Sequence, residues 1–476
     1  MKNKDLASIW NILVNKNIYR SVSIDEIISL AKGKGLIVEK AEQVKFGFNP
    51  KVEAIQLFTN KGSALYPRKR LNDLEIYKNN IAPRKNVELF WKRVDWFLPP
   101  FECPSETNEA LQISHIQIKN HSSITTKELQ KRFETSLSTL YSFDKVIPIV
   151  EQVFSESLYL KKHIPLIRES IFSFYSGMKI VAFSSLIPIM EDVLRSISDS
   201  DTDLDLISVV NSSVKKAIDR AKNIHTNNAD WAPTEFIEIS TLKVTDNRVY
   251  MLELIREWLV DSFYSNTSIY DNHSGFNRHI FAHAKSEVWQ NEFNFFRALG
   301  LLQALAFIEC FAVQQSQVSI LPPEPNLRSK SVVQEIMVCI NLQLIKQLLV
   351  SSEQLQKALP FNPTASGDGW LLRSSILAET TDKEIVRKLR DNGWNCYSVS
   401  DPVKNGEYTL VSAEKNKKNI TVALLYSCAS SQILYQELDK ICDFILYKGS
   451  PYREHEYAIN IKKAEVRPLS SWLVPN

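Results

Sequence analysis

The chain lacks the patterns that announce the commonest chemistries. Its six cysteines, at positions 103, 310, 339, 396, 428 and 442, include no Cys-x-x-Cys pair. That argues against a zinc ribbon, a thioredoxin-like motif and a disulfide framework, and each cysteine is expected as a small buried hydrophobe. There is no P-loop, no Rossmann glycine pattern and no Gly-x-Ser-x-Gly elbow, so an NTPase, a dinucleotide enzyme and an α/β-hydrolase are disfavoured. No repeat of fixed period is visible. The first residues, Met1-Lys-Asn-Lys-Asp5, lead into no apolar segment closed by small residues, which argues against a secretory signal and for a cytoplasmic protein. The longest apolar stretch, residues 295–313, carries Arg297, Gln303 and Glu309. Each is costly at the centre of a bilayer, so a buried bundle helix is expected there rather than a membrane span.

What is present is the composition of a folded chain, 44% hydrophobic and 23% charged over 476 residues, long enough for about three domains. The expected architecture is multidomain and mainly α: a small basic α+β domain at 1–98, a helical bundle over 126–359 and an α+β domain over 366–476. The net charge of +3 conceals an asymmetry, because residues 1–95 hold 18 Lys and Arg against 10 Asp and Glu. In that basic part Ser23 and Glu26 form a capping-box start for a short helix stopped by Gly33 and Gly35, and residues 36–39 are strand-like. Residues 52–58 and 63–66 read as a hairpin, giving a helix-plus-hairpin unit of winged-helix type. Arg68, Lys69 and Arg70, then Arg84, Lys85, Lys92 and Arg93, are interleaved with Phe90, Trp91 and Trp96. This mixture is either a nucleic-acid surface, cations on phosphates and rings on bases, or a solvated basic face beside a helix whose tryptophans are core. Residues 105–123 read as a polar connector with a short strand.

From 126 to 359 apolar residues recur at spacings of three and four, through 146–160, 164–197, 204–221, 251–264, 278–313 and 332–359, the pattern of a multi-helix bundle. Past 360 the pattern changes. Short apolar runs predict strands at 375–378, 396–399, 408–412, 420–427 and 457–461, with helices over 382–391, capped by Thr381 with Glu384, and over 432–447.

One constellation stands out in the bundle: Asn277-Arg278-His279-Ile-Phe-Ala-His283, entered from Gly275-Phe276 and followed by the long apolar run. It resembles the motif of the HEPN superfamily of nucleotide-associated helical bundles, whose ribonuclease members carry Arg, a polar residue, and His after four to six intervening residues. The resemblance takes in the upstream helix 184–195, with Glu191 and Arg195, and spans roughly residues 140–350. A second match to the spacing, Arg220-Ala-Lys-Asn-Ile-His225, has Ala after the Arg and ends a helix, and serves as the internal control.

The resemblance implies a metal-independent endoribonuclease of bacterial toxin or antiviral-defence type. Histidine does the proton work near neutral pH, taking the proton of the ribose 2′-hydroxyl, while the Arg278 fork holds the phosphate and a 2′,3′-cyclic phosphate is left. It also implies RNA as substrate, no cofactor, a homodimer in which two motifs meet, and an antitoxin or defence-system partner protein. On a regular helix Arg278 and His283 lie about 140° apart, whereas His279 and His283 share a face. Ala284 departs from the bacterial variant, which has Gly after the second His.

Glu191 and Arg195, four apart, pair on one helical face, either orienting Arg278 or forming an ordinary surface pair. Asn277 caps the helix or touches phosphate. His273, His279 and His283 have no acidic residue at ligand spacing and no HExxH pattern, so no metal is expected. The order of elements past 366, with Leu389-Arg-Asp-Asn-Gly-Trp394, looks like the core of restriction-endonuclease-type folds. Its matching strands, Tyr408-Thr-Leu-Val411 and Val422-Ala-Leu-Leu-Tyr-Ser427, lack the metal-binding acids and lysine, which implies a degenerate domain used for binding. The competing expectation for the whole chain is a non-catalytic nucleic-acid-binding or assembly scaffold.

Overall fold

The computed structural model describes residues 4–199, 204–282, 291–357, 370–403, 407–426, 432–448 and 460–475. They form a mainly α-helical chain with two small sheets, of three and five strands. Contacts divide the chain into two units. One comprises Met1–Ile167, Ser185–Val288 and Phe293–Val333; the other comprises Arg168–Ser184, Trp289–Glu292 and Gln334–Asn476.

In the first unit, helices α1 (Lys4–Asn15) and α2 (Ile24–Gly33) precede a meander of β1 (Val38–Phe46), β2 (Val52–Thr59) and β3 (Gly62–Pro67). The capping box at the start of α2 is formed on both sides: Glu26 N donates to Ser23 Oγ at 3.1 Å and Ser23 N to Glu26 Oε2 at 2.7 Å. The expected hairpin is β2 and β3, paired from Ala54 with Pro67 to Thr59 with Gly62. Only the beginning of β1 was legible, because its middle is polar and half-exposed and carries little hydrophobic alternation.

Leu6, Ile9, Leu13 and Ile27 of the two helices pack against Ile55, Leu57 and Tyr66 on one face of the sheet. The other face, through Phe46, Val52, Ala54 and Leu65, meets Ala232 and Phe236. Trp231 runs beside β3, donating its N–H to Ser63 O and accepting from Leu65 N, so this sheet shares its core with a later part of the chain.

Helix α3 (Glu75–Arg93) follows, with Phe90 and Trp91 buried. The connector expected at 105–123 is instead helix α4 (Pro104–Ile113) and a 3-10 turn, Ile118–Ser123, with no strand. The physical reason is a start signal carried by two residues. Pro104 stands at the first helical position, where its missing N–H costs nothing, and Glu106 accepts from Cys103 N at 3.3 Å.

The helices that follow are α5 (Thr126–Leu140), α6 (Phe143–Pro148), α7 (Ile164–Tyr175), α8 (Lys179–Ser198), α9 (Leu206–His225), α10 (Thr234–Ile237), α11 (Ile239–Thr245), α12 (Asn247–Trp258), α13 (Arg278–Ala282), α14 (Phe293–Ala312) and α15 (Leu327–Lys357); α7, α8 and α15 are divided between the two units and the others belong to the first. Among the described residues one helix, α14, is long and apolar enough to cross a membrane, and 89% of its apolar window is enclosed by protein. It packs on α5 and α9. At Gly300 an added Cβ would lie 2.4 Å from the Tyr141 ring and 2.9 Å from Trp96, so only glycine lets the helix backbone approach these rings. The segment expected as one helix over 278–313 is described at its two ends, α13 and α14.

In the second unit, helices α16 (Trp370–Thr380) and α17 (Arg387–Asp391) are joined by a π-helical stretch, Thr381–Val386. They precede β4 (Asn395–Val399), β5 (Tyr408–Lys415), β6 (Lys418–Tyr426), helix α18 (Gln432–Asp439), β7 (Phe444–Lys448) and β8 (Glu465–Pro468). The sheet order is β4-β5-β6-β7-β8, antiparallel up to β6 and parallel after it. Ile420, Val422 and Leu424 on one face of β6 join the α16 and α17 core, and Ala423 and Leu425 on the other join α18, the period-two signature of a strand covered on both sides.

Three expectations for this region fail. Residues 375–378 are helical, because a short apolar run carries no period of its own. Thr381 is no cap: its hydroxyl sits 2.8 Å from Leu377 O and 2.6 Å from Thr409 Oγ1 inside the continuing helix. The helix expected over 432–447 ends at Asp439, and the doubly buried run Phe444–Lys448 is β7. The strand expected at 457–461 lies partly outside the described residues; Asn460 and Ile461 are not in a strand, and β8 comes later.

Candidate functional site

Arg278 opens α13, and the chain just before it is held with unusual thoroughness. Asn277 is fully buried. Its Nδ2 donates to Ser262 O at 2.8 Å and Ser265 O at 2.9 Å, and its Oδ1 accepts from His279 N at 2.9 Å and Ile280 N at 3.3 Å. Of the two roles expected for it, helix capping is therefore the one the geometry shows. Phe276 is stacked against Trp258, with their ring centroids 6.0 Å apart.

Behind these residues Asp95, wholly buried, accepts from Tyr270 Oη and Ser274 Oγ at 2.9 Å each and from Trp258 Nε1 at 3.2 Å. Burial raises its carboxyl pKa, against the opposing pull of its hydroxyl donors and of Arg297. On the other side Gln130 bonds Asn272 Oδ1 and His273 N, both at 2.9 Å, and Asn294 Nδ2 donates to Ser274 O at 3.0 Å. His273 lies 3.4 Å from Glu134, which is also 3.3 Å from the buried Arg297, so His273 belongs to this supporting network.

From that anchored root the Arg278 side chain reaches Glu191 across 87 residues of sequence, NH2 to Oε2 at 3.3 Å. The other oxygen of Glu191 takes Arg195 Nε and NH2, both at 3.4 Å, and Arg195 NH1 donates to Leu204 O at 3.2 Å. One carboxylate thus bridges two guanidinium groups. The Arg278 and Glu191 side chains are each about 30% exposed (30% and 31%), so part of each charged group meets solvent. An arginine held this way presents fixed N–H donors suited to phosphate oxygens.

Tyr264 lies beside the cluster. Its buried hydroxyl has no hydrogen-bond partner among the described residues, its pKa is raised by burial, and it feels the charges of Glu191, Arg278 and Arg195. Tyr264 and Asp95 were not legible in the sequence, since neither belongs to a local pattern. His279 is half-buried on α13. His283 lies outside the described residues, as does Ala284.

The seven basic residues of the N-terminal part differ in what their side chains meet. Arg70 makes a bidentate pair with Glu235 at 2.7 and 3.1 Å. Arg84 lies over the Tyr250 ring at 4.5 Å and bonds Asn247. Arg93 donates to the carbonyls of His121 and Ile124. Arg68 donates to Val22 O at 3.0 Å. Lys92 stands 3.5 Å from Asp261, and Lys69 and Lys85 are exposed. Phe90, Trp91 and Trp96 are buried and offer no free ring face for stacking. Among the described residues no group of three or more His, Cys, Asp or Glu is placed to hold a metal ion.

No protein-family model, curated protein or solved structure matches this chain.

Proposed function

We propose that this chain is an endoribonuclease of HEPN type, cleaving RNA without a metal, with Arg278 as the phosphate-binding cation and His283 as the proton-transfer group, assisted by His279. The observation that carries the reading is the Glu191 bridge. It ties the arginine of the motif to the helix that the same resemblance singles out upstream, and it holds that arginine half-exposed on an anchored root. In the reaction the histidine takes the 2′-hydroxyl proton, the 2′-oxygen attacks the adjacent phosphorus, and the 5′-oxygen leaves with a proton. Arg278 balances the charge that builds on the phosphate oxygens.

One arginine and one histidine are spare equipment for both proton transfers, so a homodimer in which a second motif completes the cleft belongs to the proposal. So does a toxin or antiviral-defence role with a controlling partner protein. The helix, three-strand meander, helix and parallel strand of the second unit support reading it as a restriction-endonuclease-like domain without its acids, used for binding. The competing reading, a non-catalytic nucleic-acid-binding scaffold, is favoured by one feature: the Arg278 guanidinium already has a carboxylate partner.

RNA cleavage by the purified protein, with and without EDTA, separates the two readings. The enzyme reading expects cleavage that resists EDTA, leaves cyclic phosphate ends and falls by about 100-fold or more in Arg278→Ala and in His283→Ala. Cleavage that survives either substitution, or that EDTA abolishes, overturns it.

A further inference from the structure

Among the described residues of the first unit three clefts carry charged walls, and they differ in how those charges are spent. In the cleft over Trp96 and Trp258, Lys92 faces Asp261 and Lys243 bridges Glu88 and Glu257. In the cleft beside α9, Lys215 pairs with Asp219 and Arg256 with Glu253. The lining of the first carries one lysine against three acids, and that of the second three cations against three acids. The third is a groove of about 590 Å³ running from the β1–β2 loop across the ends of β2 and β3 to the start of α3.

Its walls carry Lys45, Lys51, Arg68 and Lys69 against Glu53, Asp73 and Glu75. Every one of those acids has a cation of its own: Glu53 has Lys45 at 3.5 Å, Asp73 has Arg20 at 3.0 Å and Glu75 has Lys78 at 3.2 Å. Lys51, Arg68 and Lys69 are left with no carboxylate within ion-pair distance among the described residues. The groove therefore presents three uncompensated cations. Phe48, in the loop that supplies Lys51, is exposed, with the Arg248 guanidinium over its ring at 5.1 Å.

We infer that this groove binds a single-stranded polynucleotide, its phosphates on Lys51, Arg68 and Lys69 and a base against Phe48. Three cations without carboxylate partners suit a phosphate backbone, and the exposed Phe48, three residues before Lys51 in the same loop, can take an unstacked base on the ring face that Arg248 does not cover. The inference deepens the ribonuclease reading by giving the substrate a track remote in sequence from Arg278, but it stands on the groove alone.

The test is fluorescence anisotropy of a labelled 20-nucleotide unstructured RNA, with DNA of the same sequence as a second arm, on the full chain carrying Arg278→Ala so that no probe is cut. The double variant Lys51→Glu/Lys69→Glu is expected to bind about 10-fold or more weakly, with a salt slope shallower by about 1 to 2. Lys16→Glu/Lys32→Glu, an equal charge change at exposed lysines outside the groove, is expected to stay within about threefold. Either strand binding this way supports the groove, and the tighter arm names its class. Equal losses in both doubles, no loss in either, tighter binding of a blunt duplex, or displacement by polyglutamate as readily as by unlabelled strand would each overturn it. Failure of the wild type to cleave sinks the enzyme reading and leaves this result intact.

Discussion

The chain contains the Arg…His spacing twice, and the described residues of the two copies meet different surroundings. At the end of α9, Arg220 is exposed while His225 is sealed, only 3% accessible, with Nδ1 2.8 Å from Asp246 and its ring edge-on to Phe46. Asp246 also takes Arg248 Nε at 2.9 Å, so that histidine is part of a structural ion network joining the first sheet to the bundle. At α13 it is the arginine that is held, by a carboxylate from a distant helix, with part of its surface in solvent. Identical spacing therefore says little, and what the arginine meets across the fold says more.

The comparison can be broken in three ways. The largest expected contrast is catalytic: Arg278→Ala loses about 100-fold or more of RNA cleavage, whereas Arg220→Ala, measured in the same assay, stays within about twofold. Equal effects would erase the distinction. Next is stability. His225→Ala leaves Asp246 buried with Arg248 as its remaining partner and is expected to cost about 2–3 kcal/mol in denaturant unfolding, while Arg278→Ala, removing a half-exposed pair, costs about 1 kcal/mol or less.

The smallest effect is on acid stability. Burial works to raise the Asp246 pKa, but the bonds from Arg248 and His225 outweigh it and hold the carboxyl down at about 2, below its ordinary 3.8. Because the folded value is the lower one, the carboxylate contributes about 2 kcal/mol that is complete above about pH 4 and is lost as pH falls towards 2. Melting temperatures over that window should drop more steeply in the wild type than in Asp246→Asn.

The parts of the fold legible in the sequence were those with local signals. Ser23 and Glu26 announce α2, and the turn residues Thr59-Asn-Lys-Gly62 announce the β2–β3 hairpin. The apolar spacing of three and four gave most of the bundle. β7 was misread as helix because both its faces are covered, so nothing alternates, and α16 was misread as strand for the related reason that four apolar residues have no measurable period. At the candidate site the arginine and its cap were legible, since capping is a local interaction. The meeting of Arg278 with Glu191 was expected only through the family resemblance, and Tyr264 and the Asp95 clamp are contacts between residues far apart in the chain that no spacing encodes.

The clamp around Asn277 has a consequence for binding thermodynamics. With the backbone on both sides of this residue pinned by buried hydrogen bonds, the base of the arginine has already surrendered its conformational freedom during folding. An anion that bound there, as the proposed function requires, would have only the outer torsions of one side chain and the Glu191 contact to rearrange, so little of its interaction energy would be consumed in ordering the protein.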